Sequence, residues 1–338
     1  MIRQKWNLEI EQRETGVQAQ RFLSLTAGLI KRSQVLTLLL ILVVMSGYLS
    51  IHTKTFLTST NIFNILRAFS WIAISAFGQA MVIIGGGIDL SAGSVMALSG
   101  VISAMLLVHG AGVFVSVIAG LGLGAFLGYV NGVLISKTKL PPFIATLGMM
   151  SIGRGLCYGL TGGWPVRKLS EGFLFFGQKD IPVLLWKVPL PAIFMMALAI
   201  ISFILLNNTR YGYHIYAVGG NELSASLAGI NTGRITILIY ILSGFFAAIG
   251  GILMTSRLGV AAPTAALGYE LDIIAAAVIG GISLRGGEGS VWGALVGAAI
   301  MQVLRNGLVL TGFPAYWQPS AIGAVIIVAV MLDQLKKR

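Results

Sequence analysis

The sequence predicts an all-α integral membrane protein, and three observations lead to this fold class. Hydrophobic residues make up 56% of the 338 residues, whereas charged residues make up only 10%. A soluble domain carries about 25% charged residues, so this chain cannot build a surface that faces water. In addition, several apolar segments reach the ~20 residues that a helix needs to cross a bilayer.

The apolar segments predict about ten transmembrane helices within a single domain, residues 34–338. None of the nine prolines falls in the interior of a predicted span, where a missing N–H would disrupt the helix. The predicted spans are 34–51, 62–84, 90–108, 112–135, 142–161, 188–206, 234–256, 268–283, 288–310 and 318–333.

Basic residues give these spans an orientation. The formal net charge is +12, and most Lys and Arg residues fall in segments that face the cytoplasm if the N-terminus does. This is the bias of the positive-inside rule, so both termini are expected to be cytoplasmic, and no nucleic-acid partner is needed. The cytoplasmic tail, residues 1–33, either lies on the inner membrane face as an interfacial helix, through residues such as Trp6 and Phe22, or is disordered.

The polar side chains argue against an enzyme. His52, His109 and His214 are far apart, so they form no metal-ligand cluster. The chain contains no Gly-Lys dipeptide and therefore no G-x-x-x-x-G-K-[ST] phosphate-binding loop. If ATP drives this protein, another polypeptide must bind the ATP. Cys157, the one cysteine, lies in a predicted span and is expected to act as a small buried apolar residue.

The stretch GGGIDLSAGSVMALSG, residues 85–100, places a single carboxylate between two apolar segments. Asp89 is positioned to accept the free N–H groups of a helix that begins near Ser91, where the helix dipole also favours an anion. Two alternatives stay open: a carboxylate that binds a coupling ion, and a conformational switch.

Glycine accounts for 44 residues, and its spacing predicts close helix packing. Glycines four residues apart leave a smooth face that a neighbouring backbone can approach. Two predicted spans carry such a series: Gly120, Gly124, Gly128 and Gly132 in one, and Gly289, Gly293 and Gly297 in the other. The sequence also contains a weak internal repeat, since GGIDLSAGSV (86–95) is similar to GGISLRGGEGSV (280–291). Duplicated units of this kind are common in transporters.

Two arginines fall inside predicted spans, where an unpaired guanidinium costs at least ~2.5–3.5 kcal/mol. Arg154 lies near mid-span and is expected either to pack against backbone carbonyls or to line an aqueous path. Arg305 lies near the outer end of its span and is expected to snorkel to the interface. Glu270 and Asp272 begin a span and are expected to reach the outer interface as well.

Four long stretches of the sequence, in a specific order, carry a resemblance to a known family. They are GGGIDLSAGSVMALSG, PPFIATLGMMSIGRGL, YAVGGNELSASLAGINTGRI and GYELDIIAAAVIGGISLRGGEGSVWGALVGA. In these stretches the sequence resembles the permease subunits of bacterial ABC importers of the ribose type. That group also includes permeases for xylose, arabinose, galactose and the autoinducer-2 signal. The similarity runs from about residue 35 to the C-terminus and leaves out the tail.

The resemblance implies a multi-pass protein of the bacterial inner membrane that imports a monosaccharide or a similar small neutral polyol. The implied partners are a second permease copy or paralogue, a cytoplasmic ABC ATPase that uses ATP-Mg, and a periplasmic or lipid-anchored sugar-binding protein. The chain itself would bind no cofactor and no metal. The alternative is an ion-coupled secondary transporter that uses Asp89 or Asp272, and a membrane-embedded enzyme or scaffold is a third hypothesis.

The resemblance also implies that the segment GGNELSASLAGI forms the contact with the ATPase. The contact residues would be Asn221, Glu222, Leu223, Ser224, Leu227, Gly229 and Ile230. The wider ABC-permease pattern is E-A-A-x-x-x-G followed by I-x-L-P. Here Glu222 is followed by Leu-Ser, Gly229 comes one place late, and the I-x-L-P part is absent. An ordinary amphipathic surface helix is the other interpretation.

Three further sets of residues complete the candidate site. For docking of the binding protein, the long outer loop offers charges of both signs. The alternative is that these charges are simply solvated. The residues are Arg167, Lys168, Glu171, Lys179 and Asp180. For the translocation path, a neutral sugar requires mostly uncharged polar and aromatic groups: Trp71, Ser75, Gln79, Asn131, Thr146, Arg154 and Tyr158. For structure or gating, the candidates are Asp89, Ser91, Gly124, Gly128 and Gly293.

Overall fold

A computed structural model gives the structure of the chain and describes residues 35–183 and 186–336. The tail, and with it the interfacial helix considered above, lies outside the described residues. The helices are α1 (Val35–His52), α2 (Ser59–Ile84), α3 (Ala92–Val108), α4 (Val113–Thr138), α5 (Pro142–Thr161), α6 (Glu171–Gln178), α7 (Leu190–Asn208), α8 (Arg210–Gly220), α9 (Glu222–Leu227), α10 (Thr232–Leu258), α11 (Tyr269–Ile279), α12 (Val291–Leu310) and α13 (Gln318–Lys336). In the described part of the chain, β1 (Asp180–Val183) and β2 (Trp186–Pro189) pair as an antiparallel hairpin between α6 and α7.

Seven of the described helices are long and apolar enough to cross a membrane, namely α1, α2, α4, α5, α7, α10 and α12. α3 is also apolar but has 17 residues. α11 has only 11 residues, because Gly280 and Gly281 end it where the predicted span 268–283 continued. A membrane-spanning helical fold is therefore confirmed, whereas the number of ten spans stays a prediction.

α2 and α10 form the centre of the bundle. Every residue of α2 from Ser70 to Ile84 is buried, and the two helices approach closely because small residues face each other. A Cβ on Gly78 of α2 would lie 2.8 Å from the Cα of Ser243 on α10. α3 and α4 pack against α10, and α11 and α12 pack against α2.

The two central helices are each followed by a non-helical break. Residues 85–91 join α2 to α3, and residues 259–268 join α10 to α11. The first turns of α3 and α11 meet, since a Cβ on Gly93 would lie 2.8 Å from the Ala266 carbonyl oxygen and would collide with the Glu270 carboxylate. The starts of both short helices therefore pack against each other, although each break also has exposed residues, such as Gly86 in the first and Leu267 in the second.

The glycine series of α4 packs as the spacing predicted. A Cβ on Gly124 would lie 2.5 Å from the Gly244 carbonyl oxygen of α10, and one on Gly128 would overlap the Tyr240 carbonyl oxygen. In the second series, Gly293 packs in the same way against Gly280. Gly289 departs from the prediction, because it precedes α12 and is not part of the helix.

The two ends of the bundle differ. At one end, called the α6 end, the chain between α5 and α7 forms α6 and the hairpin. The Gly177 N–H of α6 donates a hydrogen bond of 2.7 Å to Ser256 Oγ of α10, which holds α6 against the bundle. At the other end, the α9 end, the short helices α8 and α9 sit between α7 and α10. The predicted spans leave gaps at 162–187 and 207–233, and the structure places α6, the hairpin, α8 and α9 there.

Candidate functional site

The break before α3 is organised around the Asp89 carboxylate, which is almost fully buried. Its Oδ1 accepts hydrogen bonds from the Ser91 N–H (2.9 Å) and the Ser91 hydroxyl (2.6 Å), and its Oδ2 accepts one from the Ser243 hydroxyl of α10 (2.7 Å). The sequence predicted that Asp89 caps the start of α3, and this is seen only at the N–H of Ser91, the residue that precedes the first helical residue Ala92. Three donors satisfy the carboxylate without any cationic side chain.

Three further side chains hold the backbone of this break in place. The Tyr240 hydroxyl donates to the Ile88 carbonyl oxygen (3.2 Å), and Asn131 Nδ2 donates to Ser91 Oγ (3.0 Å). The Gln79 amide, in the orientation that satisfies both of its atoms, donates to the Asp89 carbonyl (3.0 Å) and accepts from the Asp89 N–H (3.2 Å). An extended segment inside a membrane bundle needs such partners, because no water is present to satisfy its peptide groups.

Most of the path candidates lie inside the protomer. Five of them are buried: Trp71, Ser75, Gln79, Asn131 and Thr146. Gln79 and Asn131 bond within the break, and the Ser75 hydroxyl bonds to the Trp71 carbonyl oxygen of its own helix at 2.9 Å. Tyr158, by contrast, is exposed on α5. The structure thus brings Gln79, Asn131 and Thr146 together at the break before α3, but not the other path candidates. The contribution of the whole set to a path stays a prediction.

Arg154 of α5 binds the other break. Its guanidinium donates through Nη1 to the carbonyl oxygens of Pro263 (2.7 Å) and Ala265 (2.8 Å), in the segment between α10 and α11. Of the two roles that the sequence left open for Arg154, binding to backbone carbonyls is the one observed. Cys157, one turn further along α5, is fully buried, as expected.

Arg305 and Asp272 form an ion pair that the sequence analysis missed. Asp272 is 3% exposed and Arg305 is 31% exposed, and the guanidinium also lies over the Tyr269 ring, 5.1 Å from its centroid. Asp272 was expected to reach the outer interface but is buried against Arg305, whereas snorkelling of the partly exposed Arg305 stays a prediction. The free-energy cost of burying each charged side chain is offset by the opposite charge of its partner. The two residues lie on different helices, so no local pattern signals their pairing.

The segment expected to contact an ATPase is a protruding helical turn. Asn221 caps α9, its Oδ1 accepting the Ser224 N–H at 2.8 Å, and Gly229 ends the turn with a φ of 84°. Ala225 faces the protein, whereas Leu223 and Leu227 on the same helix are 71% and 82% exposed. Two adjacent leucines facing away from the bundle form an apolar patch that suits a protein partner. Glu222 and Ile230 flank this patch, one exposed and one half-buried.

At the α6 end, four of the five docking candidates are exposed: Arg167, Lys168, Glu171 and Lys179. The fifth, Asp180, is partly buried and accepts two hydrogen bonds from Arg67 Nη2, at 2.6 and 2.8 Å. This ion pair joins the hairpin to α2, so Asp180 is engaged within the chain. Arg67 was not singled out from the sequence, because its partner lies in a distant loop.

Comparison with known proteins agrees with this architecture. A family model described as "Branched-chain amino acid transport system / permease component" matches residues 61–330. The ribose import permease protein of Escherichia coli (strain K12) is 42% identical over 300 residues, which cover 88% of this chain and 93% of the relative.

Two other relatives show similar coverage. The ribose import permease protein of Bacillus subtilis (strain 168) is 43% identical, covering 85% of this chain and 88% of the relative. The galactose/methyl galactoside import permease protein of Haemophilus influenzae is 38% identical, covering 91% and 95%. No solved structure matches the chain. The chain therefore belongs to the family of transport-system permease components, as a multi-pass protein of the bacterial inner membrane, and its resemblance to the permeases of ABC sugar importers is confirmed.

Proposed function

We propose that the chain is the permease subunit of an ATP-driven importer of a monosaccharide or a similar small neutral polyol. The observation that carries this proposal is α9, a helix that projects Leu223 and Leu227 from one end of a membrane bundle. Such a helix suits a chain that lacks a phosphate-binding loop and is driven through contact with another protein. The names of the relatives, which are permeases for ribose and for galactose, favour a sugar as the substrate.

In this proposal the chain crosses the membrane ten times, with both termini in the cytoplasm. α3, α11 and α13 are then added to the seven long apolar helices, the first two as short helices that begin after the two breaks. The α9 end is cytoplasmic, which places Lys137, Lys139, Arg210, Arg234 and Arg285 on the inner side, as the positive-inside rule requires.

The translocation path lies between two permease subunits, identical or paralogous, and α5 lines it. One face of α5 carries small and weakly polar residues that are all exposed in the protomer: Gly148, Ser151, Gly155, Tyr158 and Gly159. Glycine and serine leave room for a solute between two facing helices, and Ser151 and Tyr158 offer neutral hydrogen-bonding groups to sugar hydroxyls. The neighbouring face, with Ile152 and Leu156, is large and apolar and suits lipid.

The partners meet opposite ends of the bundle. A cytoplasmic ATPase that holds ATP-Mg contacts α9, with Asn221, Glu222, Ser224, Gly229 and Ile230 around the two leucines. A periplasmic or lipid-anchored sugar-binding protein docks on the α6 end through Arg167, Lys168, Glu171 and Lys179, whose charges are exposed. Asp180 supports this surface through its ion pair with Arg67.

Reconstitution in proteoliposomes tests the proposal. The chain is assembled with a candidate ABC ATPase and a candidate sugar-binding protein, and uptake of labelled ribose and galactose is measured with ATP inside or outside the vesicles. We expect uptake that requires hydrolysable ATP on the α9 side and that persists with an ionophore. Uptake without ATP that collapses with the ionophore would instead establish an ion-coupled carrier.

A further inference from the structure

The last turn of α8 touches two other segments at the α9 end, and all three meet through backbone atoms. The Gly287 N–H donates to the carbonyl oxygen of Ile84, the last residue of α2, at 2.8 Å. Gly219 of α8 lies against both groups. A Cβ there would overlap the Ile84 carbonyl oxygen and would lie 2.8 Å from the Gly287 nitrogen. Gly219, Ile84, Gly286 and Gly287 are called the glycine junction below.

The junction requires glycine on both sides. Gly286 and Gly287 adopt positive φ angles of 82° and 72°, which favour glycine. A Cβ on Gly286 would lie 2.5 Å from the Gly219 carbonyl oxygen, and one on Gly287 would lie 2.7 Å from the Gly220 Cα. Gly220 itself differs, because a Cβ added there meets nothing within 4 Å.

A side chain of α8 reinforces the junction. The Tyr216 hydroxyl donates to the Gly289 carbonyl oxygen at 2.9 Å, one turn before Gly219. Burial raises the pKa of this tyrosine, so the hydroxyl remains a donor at physiological pH. α8 is thereby tied at two points to the loop that precedes α12.

The junction lies next to both segments of the weak internal repeat: only Gly85 separates Ile84 from residues 86–95, and Gly286 and Gly287 belong to residues 280–291. The first leads from Ile84 through Asp89 into α3, and the second leads through Gly289 into α12. On the other side, Gly219 is separated from α9 by only Gly220 and the cap residue Asn221. If α9 is displaced, this one backbone contact connects the displacement to the segments that lead into α3 and α12.

We propose that Gly219 is a positioning residue that transmits movement of α9 to the segments preceding α3 and α12. The inference rests on the proposed function, since it assumes that an ATPase moves α9. Long side chains at this contact could absorb a displacement by changing rotamer, whereas touching backbones cannot. A cavity of about 450 Å³, lined by Gly85, Gly86, Gly87 and Tyr240 as well as Gly219, lies beside the junction and leaves the break room to shift.

The test compares Gly219→Ala with Gly220→Ala in the full complex reconstituted in proteoliposomes. ATP hydrolysis, its stimulation by the sugar-loaded binding protein, and sugar uptake are measured on the same preparations. For Gly219→Ala we expect hydrolysis to continue while the sugar transported per ATP falls by about two- to thirtyfold, the range in which mutations along coupling networks act. Gly220→Ala should behave as wild type, because its methyl group meets no neighbour.

A second variant keeps the test decisive if Gly219→Ala does not assemble. Tyr216→Phe removes the hydroxyl and with it the bond to Gly289, and we expect full hydrolysis with roughly a twofold or larger fall in sugar per ATP. A purely structural role lowers hydrolysis and uptake in proportion. Proportional losses, or wild-type coupling in both Gly219→Ala and Tyr216→Phe, would overturn the inference. Absence of ATP-dependent uptake in the wild type would overturn the proposed function itself, a distinct result.

Discussion

The Ser243 hydroxyl of α10 donates a hydrogen bond of 2.7 Å to Asp89 Oδ2, and this bond joins the centre of the bundle to the break before α3. Both side chains are buried. Asp89 also receives the Ser91 N–H and hydroxyl, so one carboxylate fixes the position of α3 relative to α10. Buried hydrogen bonds of this kind are costly to break, because the donors left behind find no water.

Substitutions at Asp89 distinguish this structural role from ion coupling. Asp89→Ala leaves three buried donors unsatisfied, and we expect a loss of at least about 3 kcal/mol in stability, measured by thermal unfolding in detergent. Asp89→Asn keeps an acceptor for Ser91 and a polar group facing Ser243, so folding and ATP-driven uptake should persist. A folded Asp89→Asn protein without uptake would point to a required carboxyl charge, as an ion-coupled carrier needs.

The ion pair between Asp272 and Arg305 gives a second prediction. Asp272→Leu leaves the Arg305 charge without its partner and should destabilise the protein by about 2–3 kcal/mol, below the value for a fully buried pair because Arg305 is 31% exposed. The double variant with Arg305→Leu should recover much of this loss. Unfolding temperatures of the wild type, the two single variants and the double variant form a double-mutant cycle, which measures the interaction between the two side chains. Strict additivity would show that the pair contributes nothing.

The apolar patch on α9 gives a third prediction. Leu227→Glu should leave the fold unchanged, since the side chain is 82% exposed. It should lower ATP-driven uptake by a factor of ten or more, because apolar anchors at protein interfaces contribute about 2 kcal/mol or more. Leu57→Glu, which adds the same charge to a leucine that is 64% exposed between α1 and α2, is the control. Normal uptake in Leu227→Glu would remove α9 from the contact with the ATPase.

Thiol labelling tests the path along α5. Tyr158 and Leu156 are equally exposed, at 42% and 43%, but lie on different faces of the helix. In the assembled complex, Tyr158→Cys should react with a membrane-impermeant maleimide, and transported sugar should slow this labelling reaction. Leu156→Cys, which faces lipid, should react poorly. The native Cys157 is buried and gives little background. Equal labelling of the two positions would argue against this face as the path.

The glycine contact between α4 and α10 gives a fifth prediction. Gly128→Ala places a methyl group against the Tyr240 carbonyl oxygen and should lower stability by about 1–3 kcal/mol, since overpacked helices must move apart. Gly122→Ala on the same helix meets nothing within 4 Å and should be neutral or slightly stabilising. Unfolding temperatures in detergent compare the two variants. Equal values for both would contradict the packing.

The sequence by itself determined those features that depend on composition and on local spacing. Apolar length predicted the spanning helices, and glycines at every fourth residue predicted the face of α4 that meets α10. The position of Asp89 just before the helix predicted its bond to the Ser91 N–H, though not its bond to Ser243. Each of these requires only neighbouring residues, because helix geometry converts a short spacing into a face or a helix end.

Only the tertiary structure decided which distant residues meet. Asp272 pairs with Arg305, Arg154 binds the carbonyls of the break before α11, and Gly219 closes on Ile84 and Gly287. The buried positions of Gln79 and Asn131 likewise became visible only once α2 and α4 were packed around the break. Partners of this kind are fixed by the arrangement of whole helices, and side chains far apart in the chain carry no periodic signal of their pairing.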